Sequence, residues 1–232
     1  MSTLLNLPLE LRLDIYALLL ILPPISKEDD FHFRNCTRAQ QMPPTPPSSP
    51  PNQYQLNGFA VPQSYNGPPR VHAAVLGVCR QVHREALPIL YAQNTFVAHP
   101  SLLSSFPRLR SWYPPVRESS MHKHIRRWYL QVRLDCDVPF TATKASLAFD
   151  GAAALEIDLV QSVFLGVGYS NLRVLEQIRG VKRVKVGGST TGFEKYIGWL
   201  EDKMVQDEDE EDDGEPFQPE EDDLVMRLSI FP

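Results

Sequence analysis

Leu7-Pro8-Leu9-Glu10-Leu11-Arg12, running on to Ile15-Tyr16, and Val78-Cys79-Arg80-Gln81, running on to Glu85-Ala86 and Asn94-Thr95-Phe96, are two halves of one small helical unit. With Leu7 at the cap position, Pro8 falls at the first helical residue, where its missing N–H is harmless. Glu10 then falls third, facing the positive end of the helix dipole. Leu11, Ile15, Leu18, Leu19 and Leu22 share a broad apolar stripe, with Glu10 and Asp14 to its side. Pro23-Pro24 stops the helix, because a residue before proline is pushed out of the helical region.

The second half follows a long interruption. Residues 26–70 begin with charge, pass through Met42-Pro43-Pro44-Thr45-Pro46-Pro47-Ser48-Ser49-Pro50-Pro51 and close on Asn66-Gly67-Pro68-Pro69. That composition predicts a mobile or polyproline-like loop, tacked down at most by Phe31, Phe33, Leu56, Phe59 and Val61. Over residues 71–92, Val75, Val78, Cys79, Val82, Ala86, Ile89 and Leu90 recur at steps of three and four, the period of an amphipathic helix. Pro88 predicts a break in it, since its ring clashes with the carbonyl near Arg84. Asn94 to Val97 reads as a turn into a short strand.

The order L-P-x-E-L-R-x-x-I-Y, then V-C-R-Q-V-x-x-E-A-L-P-x-L-Y-x-x-N-T-F, resembles the F-box-like domain found in a family of fungal proteins. The likeness covers residues 4 to about 98, with residues 1–25 and 71–98 as its two parts. It implies a three-helix module that docks on a Skp1-type adaptor of a cullin ubiquitin ligase, with the remainder selecting a client. Leu7, Pro8, Leu11, Ile15, Val78 and Cys79 would form the adaptor-facing surface. The sequence departs from the family in the 45-residue interruption and in carrying Val82 or His83 where a Trp often follows. From spacing alone, the same six side chains serve the module's own core.

Residues 99–206 read as an α+β body, a small mixed sheet with flanking helices. Residues 101–110 suggest a short helix with Leu102, Leu103, Phe106 and Leu109 inward. Trp128, Leu130, Val132 and Leu134 alternate with Arg127, Tyr129, Gln131 and Arg133, and Leu155, Ile157 and Leu159 alternate with Glu156 and Asp158. Both have the two-residue period of a strand with one buried face. A third strand is predicted at 181–186, after a helix carrying Leu172, Leu175 and Ile178 and before one carrying Phe193, Tyr196, Ile197 and Leu200. The 172–186 spacing resembles one leucine-rich repeat, but a single stretch is not an array.

Charge and composition bound the function. The formal charge of -5 conceals an acidic tail, which its composition predicts to be disordered: residues 207–223 hold 12 of the 28 acids, so residues 1–206 carry 16 acids against 22 bases. Residues 224–232 form a short terminal segment. Three cysteines, Cys36, Cys79 and Cys136, are odd in number and far apart, which argues for a reducing compartment, cytoplasmic or nuclear. The apolar run at 15–22 is far shorter than the roughly 20 residues of a membrane span and lacks the flanks of a signal peptide.

Chemistry-bearing motifs are missing. There is no G-x-S-x-G, P-loop or H-E-x-x-H, and Cys79 with His83, or His122 with His124, gives too few ligands for a metal. The expectation is a non-enzymatic chain with no cofactor and no metal. Lys123, Arg126, Arg127 and Arg133, interleaved with Trp128 and Tyr129, are the candidates for nucleic-acid contact, though the strand phase turns Trp128 inward. Thr45-Pro46-Pro47-Ser48-Ser49-Pro50 offers phosphorylation at Thr45 and Ser49. The leading expectation is a protein-interaction module with an adaptor and a client as partners. The alternative is a basic nucleic-acid-binding regulator screened by its acidic tail, and neither reading fixes the oligomeric state.

Overall fold

Alternation places the sheet. The computed structural model describes residues 4–25, 70–110, 112–161, 167–207 and 217. Within them β3 (Arg127–Arg133) and β4 (Ala154–Val160) run parallel, with Trp128 beside Leu155 and Leu130 beside Ile157. β1 (Thr95–His99) lies parallel to β3 on one side, and β5 (Val184–Gly188) parallel to β4 on the other. β2 (Leu103–Arg108) closes the sheet antiparallel to β1, giving the order β2-β1-β3-β4-β5 among the described residues. The fold is thus α+β. Expectations for residues 26–69, including Thr45, Ser49 and the apolar anchors, for the acidic tail apart from Asp207 and Phe217, and for residues 224–232, lie outside the described part.

One face of the sheet carries the main core. Trp128, Leu130, Val132, Leu155, Ile157 and Leu159 share this core with Phe149 of helix α4 (Ala142–Phe149), and Trp128 lies edge-on to the Phe149 ring at 5.8 Å. Thr141 caps α4 by accepting the Lys144 amide at 3.4 Å. Phe193, Tyr196, Ile197 and Leu200 turn inward from helix α5 (Glu194–Val205) and its cap, as their spacing predicts. A short helix, α3 (Ser119–His122), precedes β3. Tyr129 faces the other way and is buried as well, as suits a central strand.

Several local expectations need correction. Residues 101–110 are not helical: Leu103 takes φ +49°, and the chain turns back as edge strand β2, where Pro107 is tolerated because it need not donate. Leu103 and Leu109 are buried as expected, but Leu102 and Phe106 are exposed. The third strand begins at Val184, three residues late, and Val181 is buried just before it. Leu172, Leu175 and Ile178 are fully buried, but the first two sit on a 3₁₀ turn (Tyr169–Leu175) and Ile178 just beyond it.

The helical unit also departs from its reading. Helix α1 spans Leu9–Leu20 with Pro8, one residue later than expected, at its cap, and Leu22 lies beyond its end in the main core. After a 3₁₀ turn (Ala73–Gly77), helix α2 spans Arg80–Gln93, unbroken through Pro88. Arg84 and Pro88 both lie on its exposed side, so water can satisfy the carbonyl that proline releases.

α1 and α2 enclose a second, smaller core of Tyr16, Leu20, Val82, Ala86 and Ile89, and Val71 and Leu90 border both cores. The chain leaving α1 and the chain returning after the interruption are tied together. His72 donates its amide to Leu19 (2.9 Å), Val71 donates to the Tyr113 hydroxyl (2.7 Å), and the buried Arg110 guanidinium donates to the Pro23 carbonyl.

Candidate docking site

The apolar residues of α1 surround the helix, and its polar residues choose which face goes inward. Arg12 donates Nε to Glu85 Oε2 (2.9 Å) and Nη2 to Glu85 Oε1 (2.7 Å), a bidentate pair across α1 and α2. Its Nη1 donates to the Leu7 carbonyl at 2.6 Å. The Tyr16 hydroxyl donates to Glu85 Oε2 (3.0 Å), and Gln81 donates to Oε1 (3.0 Å). The Arg12 bond, followed by that from Gln81, holds the Glu85 carboxyl down at about 2. Burial raises the Tyr16 phenol, and the Glu85 bond raises the Arg12 guanidinium.

Arg12, Tyr16 and Leu20, four apart, therefore form the buried line. Each helical residue advances about 100°, so Leu11 and Leu18, seven apart, lie together on the opposite side. Leu18 is 85% exposed and Leu11 50%. The predicted apolar stripe thus faces outward at its centre rather than into the core. Leu5, Leu9 and Ile21 add to the exposed apolar surface of this segment, and Val78 is 66% exposed just before α2.

The six residues of the expected adaptor surface divide. Pro8, Leu11 and Val78 are exposed, and Leu7 and Ile15 are half-buried. Cys79 turns inward instead: it caps α2, its Sγ accepting the Val82 amide at 3.5 Å, and it packs on the smaller core. Sequence reasoning missed Leu18, the most exposed of the large apolar side chains described. It also missed the Arg12–Tyr16–Glu85 cluster, although Arg12 and Tyr16 stand four apart, on one face of the helix.

Asn94, a turn residue by its sequence context, is a buried joint in the structure. It is 1% exposed, and its amide donates to the carbonyls of Leu20 (2.8 Å) and Leu90 (2.9 Å) while its Oδ1 accepts the Leu22 amide (2.8 Å). One side chain thus joins the end of α1, the end of α2 and the start of β1.

The basic candidates do not all meet. Lys123, Arg126 and Arg127 are exposed at the beginning of β3, whereas Arg133 lies at its far end, roughly 20 Å away at strand spacing, and pairs with Asp135 (3.1 Å). Trp128 and Tyr129 are both buried, so neither offers a face for base stacking. Arg126 instead shares one end of the sheet with Lys182 and Arg183, on either side of the start of β4: Ala154 donates to the Arg126 carbonyl (3.1 Å) and Leu155 to that of Arg183 (2.9 Å).

Among the described residues no three His, Cys, Asp or Glu side chains gather as metal ligands. His83 Nδ1 lies 3.1 Å from the Leu76 carbonyl, and His122 Nε2 lies 3.0 Å from that of Val116. No described helix is long and apolar enough to cross a membrane.

A family profile described as a domain of unknown function, DUF7730, matches residues 1–152, more than half of the 232. The chain belongs to this family. The DUF7730 span contains both helices of the smaller core, strands β1 to β3 and α4, and ends before β4 at Ala154. No curated protein and no solved structure matches the chain.

Proposed function

We propose that the chain is a non-enzymatic interaction module whose outward α1 face docks a helical adaptor of the Skp1 kind, leaving the α+β body to hold a client. The observation that carries this reading is the exposed apolar face of α1. A helix that is hydrophobic all round is buried, in a core or against a partner. Among the described residues, the Arg12–Tyr16–Leu20 side is the buried one, and Leu11 and Leu18 are exposed. The resemblance of the two sequence motifs to F-box-like domains supplies the kind of partner.

The test is co-purification of the full chain with a Skp1-type adaptor, comparing wild type with Leu11→Asp and Leu18→Asp. Both positions are exposed, so the variants keep their fold by circular dichroism while losing the adaptor. Absence of binding by the wild type at micromolar concentrations overturns the reading.

A second reading, a polyanion-binding regulator, draws on Arg126, Arg127, Lys182 and Arg183 being exposed at one end of the sheet. It predicts nucleic-acid affinity that falls steeply with salt and with Arg126→Ala. Salt-independent or undetectable binding removes it.

A further inference from the structure

Tyr169 and Tyr196 stack at 4.0 Å with their rings 18° from parallel, and Trp199 lies 5.6 Å from Tyr196 along α5. Against this aromatic shelf sits Phe217, from the acidic tail. Its ring is edge-on to Tyr169 (5.9 Å, 86°) and to Tyr196 (5.3 Å, 81°), and 5.7 Å from Trp199. Such edge-to-face contacts set the positive rim of one ring on the negative face of another and favour an aromatic occupant over an aliphatic one. The shelf is rigid: the Tyr196 hydroxyl donates to Glu176 at 2.8 Å, and Phe193 closes the side of Tyr169.

The occupant is unusual for its surroundings. Phe217 is the only aromatic residue between Trp199 and Phe231, and it sits in Glu215-Pro216-Phe217-Gln218-Pro219-Glu220-Glu221-Asp222-Asp223. The shelf has the complementary charge close by. Lys203 Nζ stands 4.8 Å over the Trp199 ring, and Arg173 and Lys195 are exposed on the Tyr169–Leu175 turn and α5. We propose that the Tyr169–Tyr196–Trp199 shelf is a peptide-docking site for an aromatic residue carried in an acidic segment of a partner protein, and that Phe217 of the chain's own tail fills it in cis. A tethered occupant competes at an effective concentration on the order of 1 mM. With a Kd of about 100 μM for the tail segment's own contact with the shelf, a competing partner segment is held off roughly tenfold, whatever its own affinity.

The experiment titrates a fluorescently labelled Glu215–Asp223 peptide against the full-length chain. Phe217→Ala is expected to bind the peptide about tenfold more tightly than wild type, and a peptide with Phe217 replaced by Ala is expected not to bind. Phe217→Leu, which keeps apolar volume beside the core, should show the same gain in peptide binding should the alanine variant lose its fold. Lys203→Glu in the Phe217→Leu background should weaken binding at low salt. Equal affinity of wild type and both variants, or binding indifferent to the peptide's Phe, overturns the proposal. A wild-type dimer that dissociates on Phe217→Leu overturns the cis arrangement, since the tails would then be exchanged between copies.

Discussion

Arg12 and Glu85 stand 73 positions apart, yet their bidentate contact fixes which side of α1 is inside. It also makes the packing of the two helices depend on acid. Glu85 titrates near 2 in the folded chain against its usual 4.5, so the folded state favours the carboxylate. Its contribution is complete above about 4.5 and is lost as pH falls from there through about 2. Denaturation midpoints measured between pH 2 and 6 should therefore fall with acid in wild type, and that part of the slope should be missing in Glu85→Gln. Asn94 carries the other residue-scale prediction. Asn94→Ala strands the buried Leu20 carbonyl and Leu22 amide and the half-buried Leu90 carbonyl, and urea denaturation should show a loss of about 1–3 kcal/mol. Asn94→Asp, of the same shape but without the donor, should not rescue it.

At the scale of elements, β4 and β5 are held at one tight point. Gly188 takes φ +95°, and a Cβ there would collide with the Leu159 carbonyl and stand 2.8 Å from the Asp158 carboxylate. Gly188→Ala should cost about 2 kcal/mol or more in urea denaturation, whereas Gly187→Ala, whose Cβ meets open space, should cost under about 1. The strands most legible in the sequence are those whose burial is one-sided: Leu155, Ile157 and Leu159 announce β4 because polar residues separate them. α1 was legible as a helix but not in its orientation. With leucines on every side, its periodicity carries no phase, and only Arg12 and Tyr16 finding Glu85 across the interruption decides it. β2 was misread because its pattern of Leu102, Leu103, Phe106 and Leu109 mimics a helix, while the deciding feature, φ +49° at Leu103, is a backbone state that no side-chain pattern reports. The Phe217 contact was hidden for a related reason. A single aromatic in an acidic run has no periodicity, and its partners lie 18 to 48 residues before it.

Over the whole molecule, the helical pair and the sheet share a boundary at Val71, Leu90 and Asn94, so the body holds the pair in a fixed setting. At that boundary the His72 amide, just after the interruption, donates to the Leu19 carbonyl near the end of α1. The result is a framed apolar face carrying Leu11 and Leu18, with its polar contacts turned inward. The most direct test of that face as a docking surface is the dissociation constant of the full-length chain for a Skp1-type adaptor, measured by calorimetry alongside the Leu11→Asp/Leu18→Asp double variant. The account predicts micromolar or tighter binding by the wild type, lost in the double variant while its urea stability stays within about 1 kcal/mol of wild type. No binding by the wild type, or binding unchanged in a folded double variant, would contradict it.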